Sequence, residues 1–388
     1  MTPVELRGIT WDHPRGLGGL RATAKAYRQA RPEVRVEWTT RSLQAFADQP
    51  LDELARRFDL VYVDHPAIGA AVARGCLVPL DERLDEAFLA DQIRSSVGRS
   101  AASYEWQGHR WALATDAAAQ VTAFRPELME RAEVAVPRTW AEAVTTAEAL
   151  RRRGLWAALP SIPVDAICSF LAVCAALGEA PLQHDRVVSP GVGRDALDVL
   201  AAFVAWSHPA SLGWNPPATL EHMSGSDDVA FCPLAFGYSN YSRPGFRPHE
   251  IRFDGGPAGD DGVPHGTLGG AGLAVSAFGT AVDEAVRYAA FVADPQTQRG
   301  AYFEGGGQPG HRAAWMDDQV NSASNGFFRD SLAAVDAAYL RPRYDGFLAF
   351  QDEAGELVHA YLRDPGDPGA TVDRLEAAYR ASLVAERV

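Results

Sequence analysis

Hydrophobic and polar positions in the first third of the chain switch regularly between the two periods of secondary structure. "VELRGIT" (residues 4–10) alternates as a strand, and the next segment sets Leu20, Ala24 and Tyr27 at i, i+4 and i+7 of a helix that stops before Pro32. "VRVEWTT" predicts a second strand and "LDELARRF" a short helix. "DLVYVD" predicts a continuous apolar strand of the kind covered on both faces in a parallel sheet. "HPAIGAAVARGCLVPLDE" adds a helix ended by Gly75 and turned back through Pro79. This strand–helix order implies an open α/β sheet with right-handed crossovers. Between the first strand, ending at Thr10, and a helix beginning near Gly18, the pattern predicts a polar, aromatic, glycine-rich loop.

Beyond residue 105 the pattern changes. "YEWQGHRWALATD" predicts a hairpin turning at Gln107-Gly108, its second strand pointing at Asp116. "PRTWAEAVTTAEALRRRG" carries complete helix punctuation, with Thr139 as N-cap, Glu142 three residues on and Gly154 past the end. A strand at "LWAALP", an apolar helix around Phe170, a helix at "DALDVLAAFVAWS" and a buried strand at "VAFCPLAFG" follow. Residues 254–272 are rich in glycine, proline and aspartate and read as loop. "LAVS" then predicts a strand, and "TAVDEAVRYAAFVAD" a helix with a second capping box from Thr280 to Asp283.

Composition narrows the function. The 388 residues, 47% hydrophobic, allow two or three domains' worth of core, and a net charge of −14 argues against a phosphate-backbone partner. Arg151, Arg152 and Arg153 sit where a helix ends, favourably for its dipole. The single lysine, Lys25, removes P-loop and Schiff-base chemistry. Cys76, Cys168, Cys174 and Cys232 form no CxxC pair and read as small buried hydrophobes. No basic-then-apolar leader precedes the first strand, and "AICSFLAVCAAL" is too short to span a bilayer, so no membrane span is expected.

The order of these signals resembles the extracellular solute-binding protein family 1, the binding components of ABC importers for sugars and related solutes. "FDLVYVDHPAIGAAVARGCLVPLDE", "VPRTWAEAVTTAEAL" and "GGAGLAVSAFGTAVDEAVRYAAFVADPQTQRGAYFEGGGQPGHR" carry the resemblance, over about residues 4–385. It implies a two-lobed, type II periplasmic-binding-protein-like α/β fold, each lobe an open, mostly parallel sheet. Residues 1–115 with 267–320 would form one lobe and 116–266 with 321–388 the other, with a ligand cleft and a hinge between them. The implied function is capture of a small polar solute, sugar or polyol favoured, by hinge closure, without catalysis or cofactor. The implied partners are the solute and, for an exported chain, ABC permease subunits; a monomer outside the cytoplasmic membrane is expected.

In open α/β sheets ligands meet the loops at the carboxyl ends of strands. Those loops here offer Trp11, Asp12, His13 and Arg15; Asp64 and His65; Asp116; Tyr238 and Asn240; and Arg312 beside the late glycine turn. Carboxylates accept sugar hydroxyls, histidine, asparagine and arginine donate, and Trp11 and Tyr238 offer flat apolar faces. Tyr238 takes its stacking role from the resemblance, at a position where the family more often has tryptophan. Each has a structural alternative: Trp11 in the core, Asp12 or Asp64 as caps, Asp116 as a brace.

Four other functions compete with this reading. "GLGGLR" mimics a dinucleotide fingerprint, but Arg21 holds its third glycine position. No GxSxG or HExxH occurs, which disfavours a hydrolase. His13 and His65, with Asp12 and Asp64, leave a metal site as a minor alternative. Arg15, Arg243 and Arg312 leave open a leaderless cytosolic binder or sensor of a small carboxylate.

Overall fold

A computed structural model of the chain describes residues 3–183 and 186–385. Its strands, in chain order, are β1 (Val4–Trp11), β2 (Val34–Arg41), β3 (Leu60–Val63), β4 (Glu105–Trp106), β5 (His109–Arg110), β6 (Ala112–Phe124), β7 (Trp156–Ala157), β8 (Val229–Phe236), β9 (Arg252–Asp254) and β10 (Leu268–Val275). The chain divides into two compact units: residues 1–118, 269–322 and 343–345, and residues 119–268, 323–342 and 346–388. β6 and β10 each pass from one unit into the other. The expected boundaries thus move by two or three residues, and Arg343–Asp345 falls in the first unit rather than the second. The reason is close packing: a Cβ on Gly69 would lie 1.7 Å from the Arg343 carbonyl oxygen. Of the expected ranges, positions 1–2, 184–185 and 386–388 lie outside the described residues.

In the first unit the strand order is β2-β1-β3-β10, followed by the opening half of β6. β1 is parallel to β2 and β3, whereas β10 runs antiparallel to β3. Leu6, Leu20, Tyr62, Leu273 and Tyr288 fill the core on one face of this sheet, and Val61, Val63, Ile68 and Cys76 on the other. The strand β10 begins at Leu268, inside the stretch expected to be loop. Its glycines fit close neighbours: Gly270 (φ +98°) faces the Asp116 carbonyl oxygen and Gly272 the Tyr104 ring. The β4–β5 hairpin turns at Gln107 and Gly108, both with positive φ.

In the second unit β7 is parallel to β8, while β8 and β9 pair antiparallel with β6. The helix Pro163–Ala176 is buried over most of its length, its own Phe170 completely; Phe203 and Phe231, also fully buried, meet edge to face. Thr139 caps the helix Trp140–Arg152 by accepting the Glu142 N–H, as its punctuation predicts. The second expected box does not form. The helix Val282–Ala293 in the first unit starts after Ala281, with no side-chain cap, and Asp283 pairs instead with Arg83. All four cysteines are buried, and none forms a disulfide among the described residues. No helix among the described residues is long and apolar enough to cross a membrane.

Candidate functional site

The expected loop after β1 contracts to two residues. β1 ends at Trp11 and the helix Pro14–Ala30 starts directly after His13, so only Asp12 and His13 lie between them. Proline at the first helical position and a His13 cap, whose Nδ1 accepts the Arg15 N–H at 3.0 Å, drive this early start. That hydrogen bond leaves the neutral ring's proton on Nε2. Gly16, Gly18 and Gly19 therefore all lie inside the helix, which starts four residues earlier than expected. A Cβ on Gly16 would strike the Trp11 ring, on Gly18 the Gly305 carbonyl oxygen, and on Gly19 the Tyr302 ring. The glycines serve close packing of the first helical turns.

Three residues expected at the site, Trp11, Arg15 and Asp116, join one buried network. Trp11 stacks on Tyr62 with ring centroids 5.6 Å apart, tilts against Phe46, and belongs to the core. Its indole Nε1 has no hydrogen-bond partner among the described residues. Arg15 lies 5.9 Å from the Trp11 ring and directs its fork at Asp116, with Nε donating to Oδ2 at 2.9 Å and Nη2 donating to Oδ1. Arg15 and Asp116 are only 3% and 1% exposed, so the pair is buried. Burial raises the Asp116 carboxyl above the ordinary carboxylate range, opposed by the neighbouring Arg15 charge. Asp116 was expected at the end of a strand in the other lobe. It lies instead within β6, inside the first unit, because β6 continues through it to Phe124.

Nothing in the sequence pattern pointed to the phenols beside this pair. Tyr62 Oη lies 2.7 Å from Thr115 Oγ1 and 2.8 Å from Tyr302 Oη. In "DLVYVD" Tyr62 reads as one more apolar position, and its hydroxyl partners lie far away in the chain. Arg41, opposite Trp11 in the β1–β2 register, was likewise not singled out. It donates to the carbonyls of Ala45 and Tyr62, and burial lowers its pKa to about 10.

Asp12 is exposed, and its backbone N–H donates to the Arg41 carbonyl. Asp64 caps the turn His65–Ala67 through the His65 N–H at 2.8 Å, and His65 is fully buried behind it. Arg312 is partly buried and donates from Nε to the Ser96 carbonyl. In the second unit, β8 leads into the turn Ser239–Ser242. Tyr238 and Asn240 are both buried there, and Tyr238 meets Tyr241 edge to face. Tyr241 and Arg247 both donate to Glu221 and anchor the turn. Among the described residues the metal-competent grouping is His208, His222 and Asp228, not Asp12, His13, Asp64 and His65. Asp64 is committed to its cap and His65 is buried, which corrects the minor metal reading.

Two α/β units, each with polar side chains near the carboxyl ends of its strands, form a scaffold of the kind on which small ligands are bound. The sequence model for the bacterial extracellular solute-binding protein family matches residues 22–320, and the chain belongs to that family. No curated protein matches it by sequence. Solved structures share the fold at low identity. An ABC-transporter solute-binding protein of Agrobacterium radiobacter K84, in complex with ribitol, is similar at a TM-score of 0.82 and 20% identity, covering 97% of this chain and 98% of that one. Maltose-bound MalE3 of T. maritima is similar at 0.83 and 17%, covering 97% and 99%. UgpB of Mycobacterium tuberculosis, in complex with glycerophosphocholine, is similar at 0.81 and 16%, with full coverage of both chains.

Proposed function

We propose that this chain is the solute-capturing component of an ABC importer and binds a small neutral polyhydroxy compound, a sugar or polyol. The observation that carries the reading is the first unit's strand-end surface. It keeps the Asp12 carboxylate exposed and the His13 ring partly so, while the nearby cation Arg15 is already held by Asp116. An exposed Asp12 carboxylate beside a neutralised cation suits hydroxyl donors better than a carboxylate. The ligands named for the fold neighbours, ribitol and maltose among them, favour the same class. Tyr238 and Asn240 contribute from the second unit in this reading, and capture by hinge closure outside the cytoplasmic membrane, as a monomer, remains part of the proposal.

A thermal-shift screen of ribitol, mannitol, maltose, tagatose, glycerophosphocholine and small dicarboxylates tests the class, followed by calorimetry of any hit. The expected result is a shift of several degrees with one polyol or sugar, unchanged between low and high salt. Stabilisation by a dicarboxylate alone, weakening as salt rises, would reverse the choice in favour of the carboxylate binder.

A further inference from the structure

Three side chains in the second unit converge as metal ligands do. His222 Nε2 lies 2.9 Å from Asp228 Oδ1, and His208 Nε2 lies 3.9 Å from Asp228 Oδ2. All three ligand atoms fall within 4.8 Å of one another. Four-coordinate zinc, with bonds of about 2.0–2.2 Å, spaces neighbouring ligand atoms roughly 3.3 Å apart, between the two separations seen here. We propose that His208, His222 and Asp228 bind one borderline divalent cation such as zinc.

The backbone holds these ligands in place. His208 donates its N–H to the Ala157 carbonyl at 2.8 Å, and the Asp228 carbonyl accepts the Trp156 N–H at 2.7 Å, so both are tied to β7. His222 stands on the helix Pro216–Gly225, and Ser226 Oγ bridges the His222 carbonyl and Asp228 Oδ1 at 2.7 and 2.6 Å. Ser226 and Asp227 are clamped by the fully buried Arg125, which donates to the Ser226 carbonyl at 2.7 Å and to Asp227 Oδ1 at 3.0 Å. Such outer contacts orient the first ligands of a metal. Two imidazoles and one carboxylate suit zinc, nickel or copper rather than calcium or magnesium. The ligand side chains are 21–40% exposed, which leaves a coordination position for water.

Asp228 immediately precedes β8, whereas Tyr238 and Asn240 follow it. Eight strand residues separate the two ends by about 25 Å, so metal binding and solute binding are independent tests. One local contact must change on coordination. His208 Nδ1 accepts the Ala210 N–H at 3.2 Å, so its proton sits on Nε2; coordination through Nε2 moves that proton to Nδ1 and releases this cap.

The test titrates the EDTA-stripped full chain with zinc by calorimetry and with nickel or copper by tryptophan fluorescence. Trp214 is the reporter, stacked on His208 at 4.9 Å and 4.5 Å from His222. One equivalent of zinc is expected at micromolar affinity or tighter. His222→Ala should weaken it at least 30-fold and Asp228→Asn at least tenfold. His249→Ala, whose ring faces Asp227 at 3.5 Å, should leave affinity unchanged. Amide exchange at Ala210 should rise with zinc. Where His222→Ala fails to fold by circular dichroism, Asp228→Asn, similar in shape to the native side chain, carries the comparison. Zinc binding by the wild type no tighter than by the His208→Ala/His222→Ala double variant, or weakened equally by His249→Ala, overturns the site.

Discussion

Replacing Arg15 by methionine should expose how far the first unit depends on one buried ion pair. Methionine keeps much of the aliphatic bulk but removes the guanidinium whose Nε and Nη2 both hold Asp116. Asp116 is 1% exposed, so its carboxylate would remain buried without a counter-charge. Removing one partner of a buried pair typically costs about 3–5 kcal/mol. At roughly 2–4 °C per kcal/mol for a domain of 150–250 residues, the melting temperature should fall by about 6–20 °C. The sign of the pH effect follows from burial. The Asp116 carboxyl is already raised by desolvation, and losing Arg15 removes the opposing charge, so it rises further. An acid raised in the folded state favours folding while protonated and loses that contribution as pH climbs through its folded pKa. The deficit of Arg15→Met relative to wild type should therefore shrink between pH 7 and pH 5. Thermal unfolding at both pH values, followed by tryptophan fluorescence, reads this directly, because Trp11 lies against Arg15. The double variant Arg15→Met/Asp116→Leu, with neither charge, should recover most of the loss. A single variant as stable as wild type, or a double variant no better than the single, refutes the reasoning.

Gly18→Ala should destabilise by about 1–3 kcal/mol despite alanine's better helix propensity, because its Cβ would meet the Gly305 carbonyl oxygen at 2.1 Å. Gly191→Ala, with open space in another helix, should be neutral or stabilising, and equal urea midpoints for the two would contradict the packing account. Asp165 is buried, its Oδ2 has no partner among the described residues, and burial raises its pKa to about 8. Its contribution to folding is present while protonated and fades between about pH 4 and pH 8, so Asp165→Asn should flatten the stability profile over that window. A profile as steep as wild type would point to another group. Asp12→Ala should weaken the captured solute by about 1–3 kcal/mol while leaving the melting temperature of the solute-free chain unchanged, since the side chain is exposed. Unaltered affinity in calorimetry would remove Asp12 from the site.

Most elements were legible in the sequence because their signals are local. Thr139, Glu142 and Gly154 define a helix within one stretch of chain, and Gln107-Gly108 defines a hairpin in two residues. Four buried cysteines, the apolar strand Leu60–Val63 and the strand–helix order follow from composition and periodicity alone. The errors occur where local and distant demands compete. The sequence pattern starts the helix near Gly18 and leaves Gly16 in a loop, because only the packing of Trp11, Tyr302 and Gly305 against Gly16, Gly18 and Gly19 explains glycines throughout the first turns of a helix. Glycine-rich residues 268–272 likewise read as loop, yet pair as a strand because neighbouring backbone and the Tyr104 ring leave no room for side chains.

The sequence by itself determined the class of fold and most of the strand-end loops that offer polar side chains, since periodicity and capping are written into adjacent residues. Only the tertiary structure decided which of those side chains are already spent. Arg15 meets Asp116 across 101 residues, Tyr62 meets Tyr302 across 240, and His208 meets Asp228 around a two-residue strand. A hydrogen bond or ion pair depends on the separation of atoms in space, and that separation is set by sheet order and helix packing.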